Sequence, residues 1–398
     1  MDTTATIKNS LQLEDYKDAL WSCQMCTCGF CLFECQFYKL TGFEAAGPRG
    51  RNHIALGILN GEIKLTDLSD LLIYGCTTCR YCETVCAQNL PLSVTERKQK
   101  ISGATTSELL RYMKVASGNI PPRLRDALKS FSKYGNPYGI SEKEKDEWVE
   151  NLGIKPMDTA GKDAVFYVGA TVPYEPRSTK AAEAIFDILS KAGLAIGMLG
   201  SQELSSGGLV RPMGEEGLFE YFVDHCSKIL NDSRVKKIIC FSPHDYDAFR
   251  SYYSDLDVTF EHYTETIANL IENGELQLKG QYDMMVTYQD PCYLGRRNSI
   301  YDPPRKILNS IPGLKFVEMD KVRDEAHCCG GGGVGLWLEF PELHMDFERT
   351  SEAKETGAQV IATACPLCLQ MLDGAIKSKG YNLEVKDIAL IVAESMKD

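Results

Sequence analysis

Cys76-Thr-Thr-Cys79-Arg-Tyr-Cys82-Glu-Thr-Val-Cys86 follows the pattern C-x2-C-x2-C-x3-C without a deviation. Three thiolates this close together wrap one cubane 4Fe-4S cluster, and the fourth, one helical turn further on, reaches across to a second cluster. Zinc sites instead set two separated pairs around one tetrahedral ion, so the spacing points to iron. Only the residue after the motif departs from the pattern: Ala87 stands where a proline is usual.

The chain has 16 cysteines in 398 residues, and its start, "MDTTATIKNSLQLEDYK", has neither the basic nor the apolar region of an export signal. A cytoplasmic, reducing setting is expected, in which thiols serve as metal ligands rather than as disulfides. No apolar run approaches the ~20 residues of a membrane helix, so membrane association is expected only at the periphery, through a partner. A net charge of -12 with no segregated basic patch argues against a nucleic-acid partner.

The first block, "WSCQMCTCGFCLFEC", offers five cysteines for four ligand positions: Cys23, Cys26, Cys28, Cys31 and Cys35. Cys23 opens the motif and Cys31-x3-Cys35 closes it. Either Cys26 or Cys28 is the second ligand, and the other is a spare thiol.

Beyond Lys162 the pattern becomes β/α. "DAVFYVG" is a short apolar strand, and "RSTKAAEAIFDILSKAG" sets Ala182, Ile185, Phe186, Leu189 and Ala192 on one helical face. "DMMVTYQ", "PPRKILNSI" and "VIATA" repeat the grammar, which implies parallel sheets. Superposition of the two halves pairs Cys292 with Ala170 at an offset of 122, and Cys328, Cys329, Cys365 and Cys368 with Ser205, Ser206, Ser242 and Asp245 at 123. The module is duplicated, and the first copy has lost every thiol. Hydroxyls are poor ligands for iron-sulfur clusters, so no cluster is expected there.

The intact copy brings Cys292, Cys328, Cys329, Cys365 and Cys368 from three strand-end loops, more thiolates than one zinc or one cubane needs. Such loops are where open α/β sheets place ligands. "GGGGVG" (330–335) formally matches a dinucleotide fingerprint, but "DEAHCC" before it is no strand; glycines there let backbone N–H groups approach sulfur.

"DPCYLGRRNSIYDPPR", "HCCGGGG", "TACPLCL", "GPRGR" (47–51) and "GNPYG" (135–139), with the two ferredoxin motifs, resemble the CCG-domain family of the heterodisulfide reductase catalytic subunit. The resemblance covers nearly the whole chain. It implies an α+β multidomain protein: a helical ferredoxin-like domain with two cubane clusters (1–103), a helical connector (104–160), a degenerate CCG module (161–280) and an intact one (281–398). Carried over residue by residue, Cys292, Cys328, Cys329, Cys365 and Cys368 would hold a noncubane 4Fe-4S cluster and form the catalytic site. The cubanes would use Cys23, Cys26 or Cys28, Cys31, Cys35, Cys76, Cys79, Cys82 and Cys86.

The implied activity is reduction of a disulfide or related sulfur substrate, either a small molecule or a protein cysteine, with electrons from a flavoprotein or a quinone-linked membrane cytochrome. A single catalytic cluster can hold one half of a cleaved disulfide. The rival is a relay subunit of a complex oxidising a 2-hydroxyacid or acyl-CoA, and a structural zinc protein is the blandest alternative. His327 beside Cys328 is a candidate proton donor or a structurally satisfied histidine. Arg296 and Arg297 either hold an anionic substrate or sit on a solvated helix face, the latter being favoured. Cys226 and Cys240 match no ligand position and are expected in the core.

Overall fold

The computed structural model describes residues 12–89 and 99–396. Most of the stretch read for an export signal lies outside them. The first two cysteine blocks lie on and between short helices: α1 (Lys17–Cys26), α2 (Gln36–Thr41), α3 (Pro48–Leu59), α4 (Asp70–Tyr74) and α5 (Tyr81–Thr84). The "GPRGR" motif starts α3, with Pro48 in its first turn, where the missing N–H would have had no helical partner. Gly50 is required sterically, because a Cβ there would stand 2.0 Å from the Glu44 carbonyl oxygen.

Residues 104–160 supply three helices. α6 (Gly103–Ala116), capped by Ser102 Oγ accepting from the Thr105 N–H at 3.1 Å, packs on α3 and α4. α7 (Pro122–Tyr134) follows, and α8 (Lys143–Asn151) packs against residues 200–202.

Two parallel four-stranded sheets follow. The first contains β1 (Ala164–Tyr167), β2 (Ile196–Gly197), β3 (Lys237–Cys240) and β4 (Thr259–His262), in the order β2-β1-β3-β4. Its helices are α9 (Pro176–Lys191), α10 (Glu216–Ser233), α11 (Pro243–Tyr252) and α12 (Tyr263–Glu272). The second contains β5 (Met285–Gln289), β6 (Lys315–Phe316), β7 (Val360–Thr363) and β8 (Glu384–Asp387), in the order β6-β5-β7-β8. With it go α13 (Gly295–Asn298), α14 (Asp302–Asn309), α15 (Met345–Glu355), α16 (Pro366–Lys379) and α17 (Ile388–Ser395). The expected strands and the α9 face appear, with Ala182, Ile185 and Leu189 buried.

The two units pack as a pseudo-twofold pair. α9 lies on α17 and α12 on α14, which are equivalent contacts once the units are exchanged, and one apolar core runs through both sheets. Tyr263 Oη donates to Asp387 Oδ1 at 2.7 Å across this seam. The carboxyl ends of β1 and β3 lead to Ala170 and Ser242, and those of β5 and β7 to Cys292 and Cys365.

The glycine run after Cys329 is where the N-terminal helices meet the second unit. A Cβ on Gly332 would lie 2.4 Å from the Thr77 carbonyl oxygen, and one on Gly333 2.6 Å from that of Cys76. Gly332→Ala is therefore expected to cost ~1–3 kcal/mol through overpacking against fixed backbone. Gly374→Ala, on α16 with open space around it, should be neutral or stabilise by up to ~1 kcal/mol. Chemical denaturation of both variants checks the contrast, and equal stabilities would show that this contact does not constrain the fold.

Candidate metal centres

The two N-terminal cysteine blocks exchange their last members. Cys23, Cys26, Cys28 and Cys31 line one hollow together with Cys86, whereas Cys35 lines a second with Cys76, Cys79 and Cys82. Cys82 stands on the wall between the two. This is the crossover expected of a two-cluster ferredoxin motif, and on the Cys35 side Phe37 and Leu40 of α2 pack with Cys76. Both Cys26 and Cys28 line the first hollow, and Cys28 is exposed.

The donor chemistry of both hollows suits iron-sulfur clusters. Burial pushes the Cys31 thiol up to about 12 and that of Cys35 up to about 11, so a bare thiolate is disfavoured and a bound cation would be needed to stabilise it. Asn52 Nδ2 donates to Cys23 Sγ at 3.2 Å, oriented by the Thr106 hydroxyl at 2.6 Å. The Thr78 N–H donates to Cys76 Sγ at 3.4 Å. Arg51, fully buried, lies among Cys76, Cys35, Cys82 and Cys79, and its Nε has no hydrogen-bond partner.

The five C-terminal cysteines are all buried and gathered at one place. Their sulfurs stand within hydrogen-bonding reach in a continuous series, Cys292 and Cys79 on Cys328, Cys328 on Cys329, Cys329 on Cys368, and Cys368 on Cys365. The second four-cysteine site and the five-cysteine site thus touch through Cys79 and Cys328. Donation from Cys328 and Cys368 holds the Cys329 thiol below the ordinary range, helped by the Gly331 N–H. Gly330 N–H donates to Cys328 Sγ at 3.4 Å. The glycine run therefore presents N–H groups to sulfur, as its sequence implied, and also admits the Cys76–Thr77 backbone.

Arg296 and Arg297 correct one expectation, since neither sits on a solvated face. Arg296 Nε donates to the Cys79 carbonyl oxygen at 2.8 Å, and Arg297 Nη2 to that of Thr78 at 3.1 Å. Arg297 is also paired with Asp247 and Glu108 at 3.1 and 3.2 Å. His327 is bridged by two carboxylates: Nδ1 contacts Glu352 and Nε2 contacts Glu34 Oε2 at 3.2 Å. Proton donation to Cys328 would require one of these contacts to open. Gln36 and Glu34 carried no signal in the sequence, yet Gln36 Oε1 accepts the Cys328 N–H at 2.7 Å. Both flank Cys35, and proximity to a ligand was their only legible mark.

The counterpart in the first unit is filled by its own side chains. Ser206 Oγ donates to Asp245 Oδ1 at 2.5 Å, while Gly207 and Gly208 N–H groups donate to Ser205 and Ser206 hydroxyls at 3.1 and 3.2 Å. These glycines repeat the Gly330 and Gly331 arrangement with oxygen in place of sulfur. A Cβ on Gly169 would lie 2.2 Å from Asp245 Oδ2. Beside them Lys145 Nζ reaches Glu203 Oε1 at 3.3 Å and the Gly169 carbonyl at 2.9 Å. Cys226 and Cys240 are buried, as expected of core thiols.

Comparison with known proteins matches both cysteine-bearing regions to known domains. A 4Fe-4S dicluster domain matches residues 26–90, and the CCG cysteine-rich domain matches residues 286–373. The chain is 31% identical to the D subunit of the dihydromethanophenazine:CoB–CoM heterodisulfide reductase of Methanosarcina mazei, over 93% of each chain. It is 35% identical to the probable iron-sulfur-binding oxidoreductase FadF of Bacillus subtilis and 30% identical to the EtfAB:quinone oxidoreductase of Syntrophomonas wolfei. In both cases the match covers 81% of this chain and 46% of the relative, so the chain spans about half the length of those two proteins.

The crossover predicts that Cys86→Ser removes about four iron atoms and the signal of the first-block site, while Cys35→Ser does so for the second. Iron analysis with electron paramagnetic resonance checks it, and loss of the second-block signal in Cys86→Ser would contradict it. Burial pushes the Asp245 carboxyl up to about 6, against ~3.9 in an unfolded chain. The folded state therefore holds this proton longer, and stability falls as pH rises through the interval. Asp245→Asn should remove about 1 kcal/mol of that loss between pH 5 and 7, measured by urea unfolding at both pH values; an unchanged pH slope counts against the shift.

Proposed function

The chain belongs to the family of heterodisulfide reductase D subunits, and from that premise we propose that it is an iron-sulfur subunit passing electrons from a partner to the five-cysteine site, where a disulfide or related sulfur bond is reduced. The observation that carries this reading is the unbroken series of sulfurs from Cys79 to Cys365. In this reading Cys23, Cys26 or Cys28, Cys31 and Cys86 hold one cubane cluster, and Cys35, Cys76, Cys79 and Cys82 the other. Cys292, Cys328, Cys329, Cys365 and Cys368 hold a noncubane cluster. When bound, such clusters supply one-electron steps at fixed positions.

Two electrons and two protons convert a disulfide into two thiols. A cavity lined by Gly330, Gly335, His344, Phe347, Gln370 and Met371 reaches the glycine run beside the sulfurs and gives a substrate its approach. One half of the substrate is held at the five-cysteine site, and the other leaves as a thiol, because Asp245 and Ser206 fill the counterpart. Electrons enter at the first block, where Cys28 is exposed and the same segment carries exposed Trp21, Met25, Phe30, Phe33 and Phe43. That surface suits a flavoprotein or a quinone-linked cytochrome. No helix among the described residues is long and apolar enough to cross a membrane.

A second reading is a relay subunit in a flavoprotein complex oxidising a 2-hydroxyacid or acyl-CoA and delivering electrons to quinone. It draws on the name of the EtfAB:quinone oxidoreductase relative and on the burial of all five sulfurs. Three four-iron clusters predict about twelve iron atoms per chain, and stoichiometric zinc would end the cluster reading. Small thiols titrated into the oxidised protein should change its paramagnetic signal. An unchanged signal, with a copurified flavoprotein dehydrogenase, favours the relay.

A further inference from the structure

Arg296 stands at the junction of two cysteine sites. It lies on α13, which follows Cys292, and its Nε donates to the Cys79 carbonyl oxygen at 2.8 Å. Its Nη1 donates to the carbonyl oxygens of Ala326 at 2.5 Å and Asp324 at 3.2 Å, in the segment entering Cys328. One guanidinium thus fastens together the chain segments bearing Cys79, Cys292 and Cys328, and its other face lies over the Tyr81 ring at 5.8 Å.

What distinguishes Arg296 from its neighbours is the absence of a carboxylate. Arg297 is paired with Asp247 and Glu108, and Arg305 with Asp290 and Glu318. Among the described residues no acidic side chain forms an ion pair with Arg296, and the sulfurs its charge acts on most are Cys79, Cys292 and Cys328. Arg51 has a similar place, and the sulfurs its charge acts on most are the four of the second site.

We propose that Arg296 is a positioning residue shared by the second four-cysteine site and the five-cysteine site, which holds the two at their contact and raises the reduction potential of both. This rests on the reading that both sites carry clusters. Adding an electron makes a cluster more negative, and a fixed cation in a poorly screened interior stabilises that state more than the oxidised one. The same cation acts on donor and acceptor, so it raises both potentials and limits the change in the step between them.

The test is a redox titration of the full-length, iron-loaded protein followed by electron paramagnetic resonance, with signals assigned from Cys35→Ser and Cys86→Ser. Arg296→Gln is expected to lower the potentials of the second and five-cysteine sites together and leave the first-block site unmoved. Arg51→Gln should lower the second site alone. Arg296→Lys, which keeps the charge, should hold both potentials near the wild type. A shift in Arg296→Gln confined to one of the two sites, spread over all three, or absent overturns the proposal. Should Arg296→Gln lose iron, Arg296→Lys decides, and a fall in either neighbouring potential overturns it. Thiol response of the wild type is read separately: its absence beside the expected Arg296→Gln shifts sinks the sulfur-substrate reading and leaves Arg296 standing. A chain that holds zinc in place of iron overturns both.

Discussion

The structure depends on the cysteine-bearing loop at residues 76–79 being held against the second α/β unit. Backbone meets backbone there, with room for no Cβ at Gly332 or Gly333. Three arginines bind the carbonyl oxygens of this loop from different directions: Arg111 that of Cys76, Arg297 that of Thr78 and Arg296 that of Cys79. Arg111 also reaches the Pro212 carbonyl at 2.8 Å, so the first unit is tied to the same loop. Guanidinium groups suit this task because several donors on one rigid plane satisfy carbonyls that burial would otherwise leave unpaired. The contact of Cys79 with Cys328 follows from this clamp.

The first α/β unit keeps the scaffold of the second without its thiols. The strand order, the glycine N–H contacts and the pseudo-twofold helix packing persist in the first unit. The space the ligands would face holds Asp245, Ser206 and the buried Lys145 and Glu203 pair. A buried charge without a partner is costly, and these groups are paired with one another. Lys145 comes from α8, which makes that connector helix part of the filled site.

Much of the fold and of the sites was legible in the chain itself because ligand spacing is local. The C-x2-C-x2-C-x3-C pattern, the offset of the repeat and the apolar strands β1, β5 and β7 are properties of short segments. Edge strands β2 and β6, of two residues each, left no periodicity to read. Arg296 and Arg297 look solvated in the sequence, since two adjacent arginines on a short helix give no sign of the loop they bind, more than two hundred positions away. Gln36 and Glu34 carry no local signal for the same reason, their partners lying at Cys328 and His327.

By itself the sequence determined which residues are thiols, how closely they follow one another, that the module occurs twice, and that only the second copy retains its cysteines. These are matters of residue type and spacing, and a metal site is first a matter of donor count. Tertiary structure decided which sulfurs share a hollow, that Cys35 joins the second block, and that Cys79 abuts Cys328. It also decided that Arg296 has sulfurs and carbonyls, rather than carboxylates, for company. Each of these depends on long-range packing, where the close approach of two backbones through a glycine run brings together groups that no local pattern connects.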